Sequence, residues 1–413
     1  MKKEEFFRNA LPDSVGPLEG VRVLEATHNF AGPNVGTVLA DLGADSVKCD
    51  PPGMGDILRH LPPFVDSEQP LETGAQHLSI NRNKRDITLN LRHHEGQALF
   101  RRLAQGVDIV VENFKPGTMA GWGLGYEEIC RVKPDIIYVS VSGFGQFGPY
   151  HERPSYDAVG QAMGGLMYVT GQPDGPPTRP GFGLGDSLAG WQGALAALAA
   201  LHYRNRTGKG QHIDISQIDT ILYLSESGIL LSSNLNRSWE RIGSGHPLGA
   251  PYNAYQCPDG HVFIGIVLDS HWKKFCQIAG REELIEDPRS RTTTDRAQHR
   301  ELVDGAVSQW VRDKKVSQVV DALVEAGLVV APIYSFPQIV RDEHIREREM
   351  VTEVEHPAAG KIDLYGVAAK FSLTPARVRR PAPMMGQHNQ EVYGERLGLS
   401  AEELRRLQEN GAI

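Results

Sequence analysis

The strongest chemical pattern in the chain is Gly-Leu-Gly-Asp-Ser-Leu-Ala-Gly at 183–190. Its acid, Asp186, stands between a Gly/Pro-rich stretch (171–185) and an Ala/Leu-rich helical pattern that begins at Ser187. Upstream lies Pro-Ser-Tyr-Asp-Ala-Val-Gly-Gln-Ala, which contains Tyr156 and Asp157. A carboxylate at the end of a glycine loop can meet a bound molecule directly, because glycines let another group approach the backbone closely. That placement suits a nucleophilic carboxylate. It equally suits a helix N-cap, whose side chain accepts from first-turn amides and contributes about 1 kcal/mol. The local pattern leaves both roles open.

The elements that must position this acid alternate between strand and helix signals. Val21–Glu25 is a short apolar strand, and a helix opens at Gly32-Pro33 with Val35, Val38, Leu39 and Leu42 on one stripe. Gly43 ends it. Ser46–Cys49, Ile87–Leu91, Val107–Glu112 and Ile136–Val141 read as further strands, separated by a helix over Glu95–Gln105. Near-continuous apolar strands point to a sheet covered on both faces, hence a doubly wound α/β fold with a mostly parallel sheet. Ser187–Arg204 is a helix stopped by Gly208.

After about Ser225 the character changes. Turn formers precede a glycine loop, Gly243–Gly249, then a strand at Val262–Val267 and charged-faced helical patterns over 270–345. The expected architecture is α/β. A large Rossmann-like domain spans 1–225 plus 341–413, and a smaller α+β domain spans 226–340. The tail carries Pro-rich segments and a polar helix at Ala401–Asn410.

Composition narrows the function. At 413 residues two domains are the prior. Apolar content of 40% and charged content of 23% fit a globular protein. A net charge of −8 argues against a nucleic-acid surface. The N-terminal residues have no apolar run of the kind a signal peptide carries. The longest apolar stretch, near Ala194–Leu201, falls far short of the roughly 20 residues of a membrane span. Cys49, Cys130, Cys257 and Cys276 are scattered without metal-ligand spacing, so no zinc site or disulfide scaffold is indicated and a reduced cytoplasm is expected.

The start at Ala31-Gly32-Pro33 follows a strand directly, where an α/β fold places ligands and helix amides meet phosphates. No G-x-G-x-x-G stands at this start after the first strand, so Asp50 at the second strand's end is not a ribose partner. Arg82, Lys84, Arg85 and Arg92 form a basic cluster, either a solvated surface run or a phosphate site.

Several ordered segments carry a resemblance. They are Val-Leu-Glu-Ala-Thr-His-Asn-Phe-Ala-Gly-Pro (23–33), Ala-Asp-Leu-Gly-Ala-Asp-Ser-Val-Lys (40–48), Asn-Lys-Arg-Asp-Ile (83–87), Val-Glu-Asn-Phe-Lys-Pro-Gly (111–117), Gly-Asp-Ser-Leu-Ala-Gly (185–190) and Arg-Thr-Gly-Lys-Gly-Gln (206–211). Together they resemble the class III coenzyme A transferases, the group of formyl-CoA transferase and crotonobetaine CoA-transferase, across nearly the whole chain. The resemblance implies that Asp186 is the catalytic carboxylate. It implies coenzyme A contacts at Ala31, Leu89, Asn90, Leu91, Arg92, Asn113, Phe114 and Lys115, with Tyr156 and Asp157 at the site. It implies an acyl-CoA donor and a carboxylic acid acceptor as partners, coenzyme A as substrate with no prosthetic group or metal, and an interlocked homodimer. It also implies that the tail returns to the large domain and that Gly243–Gly249 is a mobile loop over the site. Phe30, Pro51 and Gly121 depart from formyl-CoA transferase, which has Gln and two Arg there, so Arg59, Lys84 or Lys115 are the candidate replacement cations. Racemases of this fold carry a His at the position of Tyr156. A phenol with pKa near 10 is a poor second base, which disfavours the racemase or isomerase alternative. A non-catalytic subunit of a two-component transferase is the other alternative, and Asp186 argues against it. His28 stands where it could face a ligand, although a lone His is commonly structural.

Overall fold

Six parallel strands organise the larger of two compact units in the computed structural model, which describes residues 1–413. They are β1 (Arg22–Ala26), β2 (Asp45–Asp50), β3 (Arg85–Thr88), β4 (Ile109–Glu112), β5 (Ile137–Ser142) and β6 (Gln211–Ser216), in the order β3-β2-β1-β4-β5-β6. Strand order reverses between β1 and β4, where Val23 pairs with Ile109 and Ala26 with Glu112. Alternate residues supply the cores on the two faces. Leu24, Ala26 and Val110 join Ile87, Phe100 and Tyr138 on one side. Val23, Ile109 and Val111 join Val35, Leu39 and Ala194 on the other. Strand β6 is absent from the sequence expectation. Gln-His-Ile-Asp-Ile-Ser is polar at alternate positions, and its first residues are exposed at the sheet edge.

Helix α1 (Ala31–Asp41) connects β1 to β2 and is buried nearly all round, not along one stripe. Helix α2 (His94–Gln105) covers the opposite face through Leu99, Phe100 and Leu103. Two later helices matter for the site: α3 (Asp157–Met163) and the long α4 (Leu184–Thr207). Helix α4 starts three residues earlier than its Ala/Leu pattern and ends on Gly208, whose φ is 73°. It crosses α1 closely: Asn34 Nδ2 donates to Ser187 O at 3.1 Å. A Cβ on Gly190 would overlap the Asn34 side chain, so this crossing needs glycine.

Arg82, Lys84 and Arg85 of the basic cluster are engaged by the protein's own carboxylates, which corrects the expectation of a solvated run or a phosphate site at these three positions. Lys84 is buried, with Nζ donating to Glu25 at 2.9 Å and to Pro33 O at 2.6 Å. Arg82 pairs with Asp41 at 2.6 Å and stacks 3.9 Å over the Tyr365 ring. Arg85 bridges Asp45 and Glu391. Arg59 is wholly buried among Asp50 (2.9 Å), Glu72 (2.9 Å) and Asp86 (3.3 Å). Lys48 completes the network on Asp50 and Asp56, at 3.2 and 2.8 Å. Each buried cation is consumed by carboxylates because an unpaired buried charge is prohibitively costly. Arg59 and Lys84 are therefore unavailable to a ligand, whereas Arg92 and Lys115 are exposed.

The larger unit comprises Met1–Leu166, Arg179–Glu226 and Asp342–Ile413. Its tail binds the β3 side of the sheet: Gly386 N donates to Asp86 at 2.6 Å, Thr88 N donates to Asn389 at 2.9 Å, and Ala412 and Ile413 enter the core. The smaller unit comprises Met167–Thr178 and Ser227–Arg341. It holds an antiparallel sheet, β7 (Tyr252–Cys257), β8 (Gly260–Gly265) and β9 (Val329–Pro332), around a core that includes Trp272, Phe275 and Val303. Residues 167–178 join it through hydrogen bonds from Gly243 N to Gly171 O at 2.9 Å and from Arg241 to Tyr168 O at 2.9 Å. No helix is long and apolar enough to cross a membrane.

Candidate active site

The crevice at the strand-order reversal is built from the loops that leave β1 and β4. Asn113, just past β4, clamps the other loop: its Oδ1 accepts from His28 N and its Nδ2 donates to His28 O, both at 2.9 Å. A Cβ on Gly32 would collide with the Asn113 side chain, so glycine lets the two loops meet. Asn29 adopts φ 60° and donates its N–H to Asp56 at 3.0 Å. Lys48, which holds Asp56, also donates to Thr27 O at 2.6 Å. The buried charge network thus fixes the loop that launches α1. The N-cap of α1, Phe30, supplies no side-chain acceptor. First-turn amides at Ala31 and Gly32 lack intrahelical partners and form a natural anion site.

Asp186 lies in the first turn of α4, but it does not cap that helix. The N-cap is Gly183, which offers no side chain. Capping comes from Asp157, the first residue of α3, whose Oδ1 accepts from Gly185 N at 2.8 Å and from Asp186 N at 3.3 Å. Oδ2 of Asp157 accepts from Gln161 at 2.7 Å and from Arg179 Nη2 at 2.9 Å. The Asp186 carboxylate is thereby free of local duty. It accepts from Gln217 Nε2 and lines a cleft with His28, Asn29, Ala31, Asn113, Gly143, Ser155 and Tyr156. Burial, then repulsion from Asp157, push its pKa up to about 7, against the opposing pull of Gln217 and Arg179. Such a carboxylate is more basic than a surface aspartate, a feature of functional sites.

The anticipated site residues do not all come together. Asp186, Ala31, Asn113 and Tyr156 meet at the cleft. Tyr156 is 74% exposed, so it is no core aromatic. Phe114 is half-buried, packed between His28 and Trp122 at ring distances of 5.0 and 5.1 Å. Lys115 follows it, exposed. Leu89 and Leu91 belong to the hydrophobic core, while Asn90 is engaged by the C-terminus, its Nδ2 donating to Gly411 O at 3.1 Å. Asp157 is buried and turned toward the α4 amides. Gly243–Gly249 lies in the smaller unit, where Arg300 donates to His246 O at 2.6 Å.

Gln217, Arg179, Gly143 and Ser155 were not foreseen. Gln217 follows β6 and opens a short helix, α5 (Gln217–Leu222). The carboxyl end of a parallel strand is where α/β folds bind ligands, so recognising β6 would have exposed it. Arg179 sits in a Pro-rich loop with no periodic signal.

Comparison with known proteins settles the class. The model of "CoA-transferase family III" matches residues 18–389. The chain belongs to CoA-transferase family III. It is 40% identical to the succinyl-CoA–D-citramalate CoA-transferase of Chloroflexus aurantiacus, covering 96% of this chain and 98% of that one. It is 37% identical to the succinyl-CoA:mesaconate CoA-transferase of Haloarcula hispanica, covering 92% and 96%. A CaiB/BaiF family protein from Brucella suis superposes with a TM-score of 0.82 at 33% identity, over 92% of this chain and 99% of that chain. The protein is accordingly a CoA-transferase acting on CoA thioesters, with the mixed α/β fold of that group.

Proposed function

We propose that this transferase moves coenzyme A from an acyl-CoA donor to a carboxylic acid acceptor through an aspartyl-CoA thioester on Asp186. The observation that carries this is the division of labour at the start of α4: Asp157 caps the helix, and Asp186 is left basic and facing the cleft. Asp186 attacks the donor carbonyl, the C–S bond breaks, and a mixed anhydride forms. The released thiolate attacks the aspartyl carbonyl, giving the thioester and expelling the donor acid. The acceptor carboxylate attacks that thioester, and thiolate then attacks the acceptor carbonyl, restoring Asp186. Splitting the exchange this way keeps the thioester's energy from loss to water. Acylation also removes the Asp186 charge that Asp157 repels.

Amides at the start of α1 suit the anionic oxygens or phosphates of the substrate, with Lys115, two residues past Asn113, and Arg92 as exposed cations for the remaining charge. Succinyl-CoA donors and small dicarboxylate acceptors fit the names of the two relatives above. Exposed Tyr156 supplies no second base for racemisation, in keeping with transfer over stereoinversion. A homodimer is supported by α4: its inner face is core, yet Trp191 and Leu195 on its outer face are 58% and 62% exposed, with Tyr203 at 47%. A helix apolar on both faces belongs inside an assembly.

Oxygen transfer tests the mechanism. Acceptor acid labelled with oxygen-18 in its carboxylate, cycled with donor acyl-CoA, should leave label in the peptide containing Asp186. The anhydride's bridging oxygen comes from the acceptor and departs with the aspartate. An unlabelled Asp186 after many turnovers removes the covalent mechanism, since a base that only moves protons breaks no carbon–oxygen bond.

A further inference from the structure

The geometry points to Arg179 as the group that holds the second carboxylate of a dicarboxylic substrate. This rests on the transferase reading above and adds a specificity residue to it. Arg179 meets Asp157 side-on: Nε and Nη2 donate to the same oxygen, Oδ2, at 3.3 and 2.9 Å. That arrangement leaves Nη1 without a partner. The side chain stays 44% exposed, whereas Lys48, Arg59 and Lys84 are wholly enclosed. The other oxygen of Asp157 is 3.3 Å from Asp186 N. The guanidinium therefore lies one carboxyl group away from the nucleophile's backbone. A short dicarboxylic acid spans this kind of distance, with one carboxyl reacting at Asp186 and the other reaching Arg179.

Charge supports the same assignment. The Asp157 carboxylate is stabilised independently by the α4 amides at Gly185 and Asp186, so Arg179 is not needed merely to neutralise it. While Asp186 is ionised, the trio Asp157, Asp186 and Arg179 carries one net negative charge. Once Asp186 is acylated, the trio is neutral and the helix terminus adds positive potential. A distal carboxylate is then welcome beside Arg179, and a planar fork with spare donors is the side chain best shaped to hold it.

The test compares succinyl-CoA with butyryl-CoA, which has a methyl where succinyl-CoA has its free carboxylate. Wild-type enzyme should prefer succinyl-CoA in kcat/KM. Arg179→Met should lower that preference by about tenfold to a hundredfold, the range expected for a charge-assisted hydrogen bond. Should Arg179→Met not fold, Arg179→Gln, which can still donate to Asp157, carries the same comparison. Equal losses for both donors would mean that Arg179 only positions Asp157, and would overturn the assignment. So would a wild-type enzyme indifferent to the distal carboxylate. Failure of the transferase reading itself looks different: no donor of either kind would exchange with any acid.

Discussion

Two carboxylate clusters in the larger unit are handled in opposite ways. Beneath β1–β3, Glu25, Asp50, Asp56 and Asp86 are buried with Lys48, Arg59 and Lys84 among them. Burial works against the charge of Lys48, yet Asp50 and Asp56 outweigh it and hold the ammonium charged. Burial also works against Asp50, but Lys48 and Arg59 hold it well below the usual carboxylate range, while burial and then Asp50 push Asp86 upward against the pull of Arg59. At the start of α4, by contrast, Asp157 and Asp186 share only the half-exposed Arg179. Compensation makes the first cluster scaffold; its shortfall leaves Asp186 with a raised pKa, the basis of the reactivity proposed for it. Burial alone would not tell them apart.

The largest expected effect breaks the reactive side. Asp186→Ala should lower CoA transfer by about four orders of magnitude or more, as loss of a covalent nucleophile does. The thermal midpoint should not fall, because Asp157 supplies the cap. Substantial residual turnover would return Asp186 to a structural role. The matching break on the scaffold side is Lys84→Met. It strands Glu25 in the interior and should cost about 3–5 kcal/mol. Denaturant midpoints would show the loss, while kcat per folded molecule stays within a few-fold of wild type. A stable Lys84→Met with collapsed kcat would mean the network does chemistry after all.

How much of this was legible from residues alone differs between the clusters. Strand–helix alternation identified five of the six strands of the parallel sheet and the helix that carries Asp186, because apolar runs and Gly punctuation are local signals. β6 escaped because an edge strand with polar alternate positions lacks that signal. Asp186 stood out as an acid before a helix, but its competing role as a cap could not be resolved. The residue that takes over capping, Asp157, belongs to another helix. Arg82, Lys84 and Arg85 look alike in sequence as surface or ligand cations. Only long-range pairing with Asp41, Glu25 and Glu391 shows them to be internal.

A smaller effect sharpens the comparison through stability. Asp186 has a folded pKa of about 7 against an ordinary 3.8. The folded state then binds more protons than the unfolded chain between these values, so this group destabilises the fold increasingly as pH rises through that window. The penalty is fully present above about 7 and reaches roughly 4 kcal/mol at most, at 1.36 kcal/mol per pKa unit. Asp186→Asn removes it. The variant's melting midpoint should match wild type near pH 4 and exceed it progressively up to neutrality, then run parallel. A gap that is constant with pH would show that Asp186 titrates normally.

The smallest effect concerns the origin of that raised pKa. After burial, Asp157 is the leading cause. Asp157→Asn keeps an oxygen to accept from Gly185 N and Asp186 N, so the cap survives while the repulsion goes. Arg179, released from its partner, is then left to favour ionised Asp186 further. Both changes lower the pKa of Asp186. A nucleophilic carboxylate must be ionised, so wild-type activity should fall as pH drops through about 7, and the variant's acidic limb should lie at lower pH. Its plateau rate should fall too, within about tenfold, because a less basic carboxylate is a weaker nucleophile and general reactivity tracks basicity. The variant should thus lose activity at pH 8 yet retain a larger fraction of its own plateau at pH 6. A limb that stays in place while the plateau drops would assign the titration to another group and leave Asp157 as a cap alone.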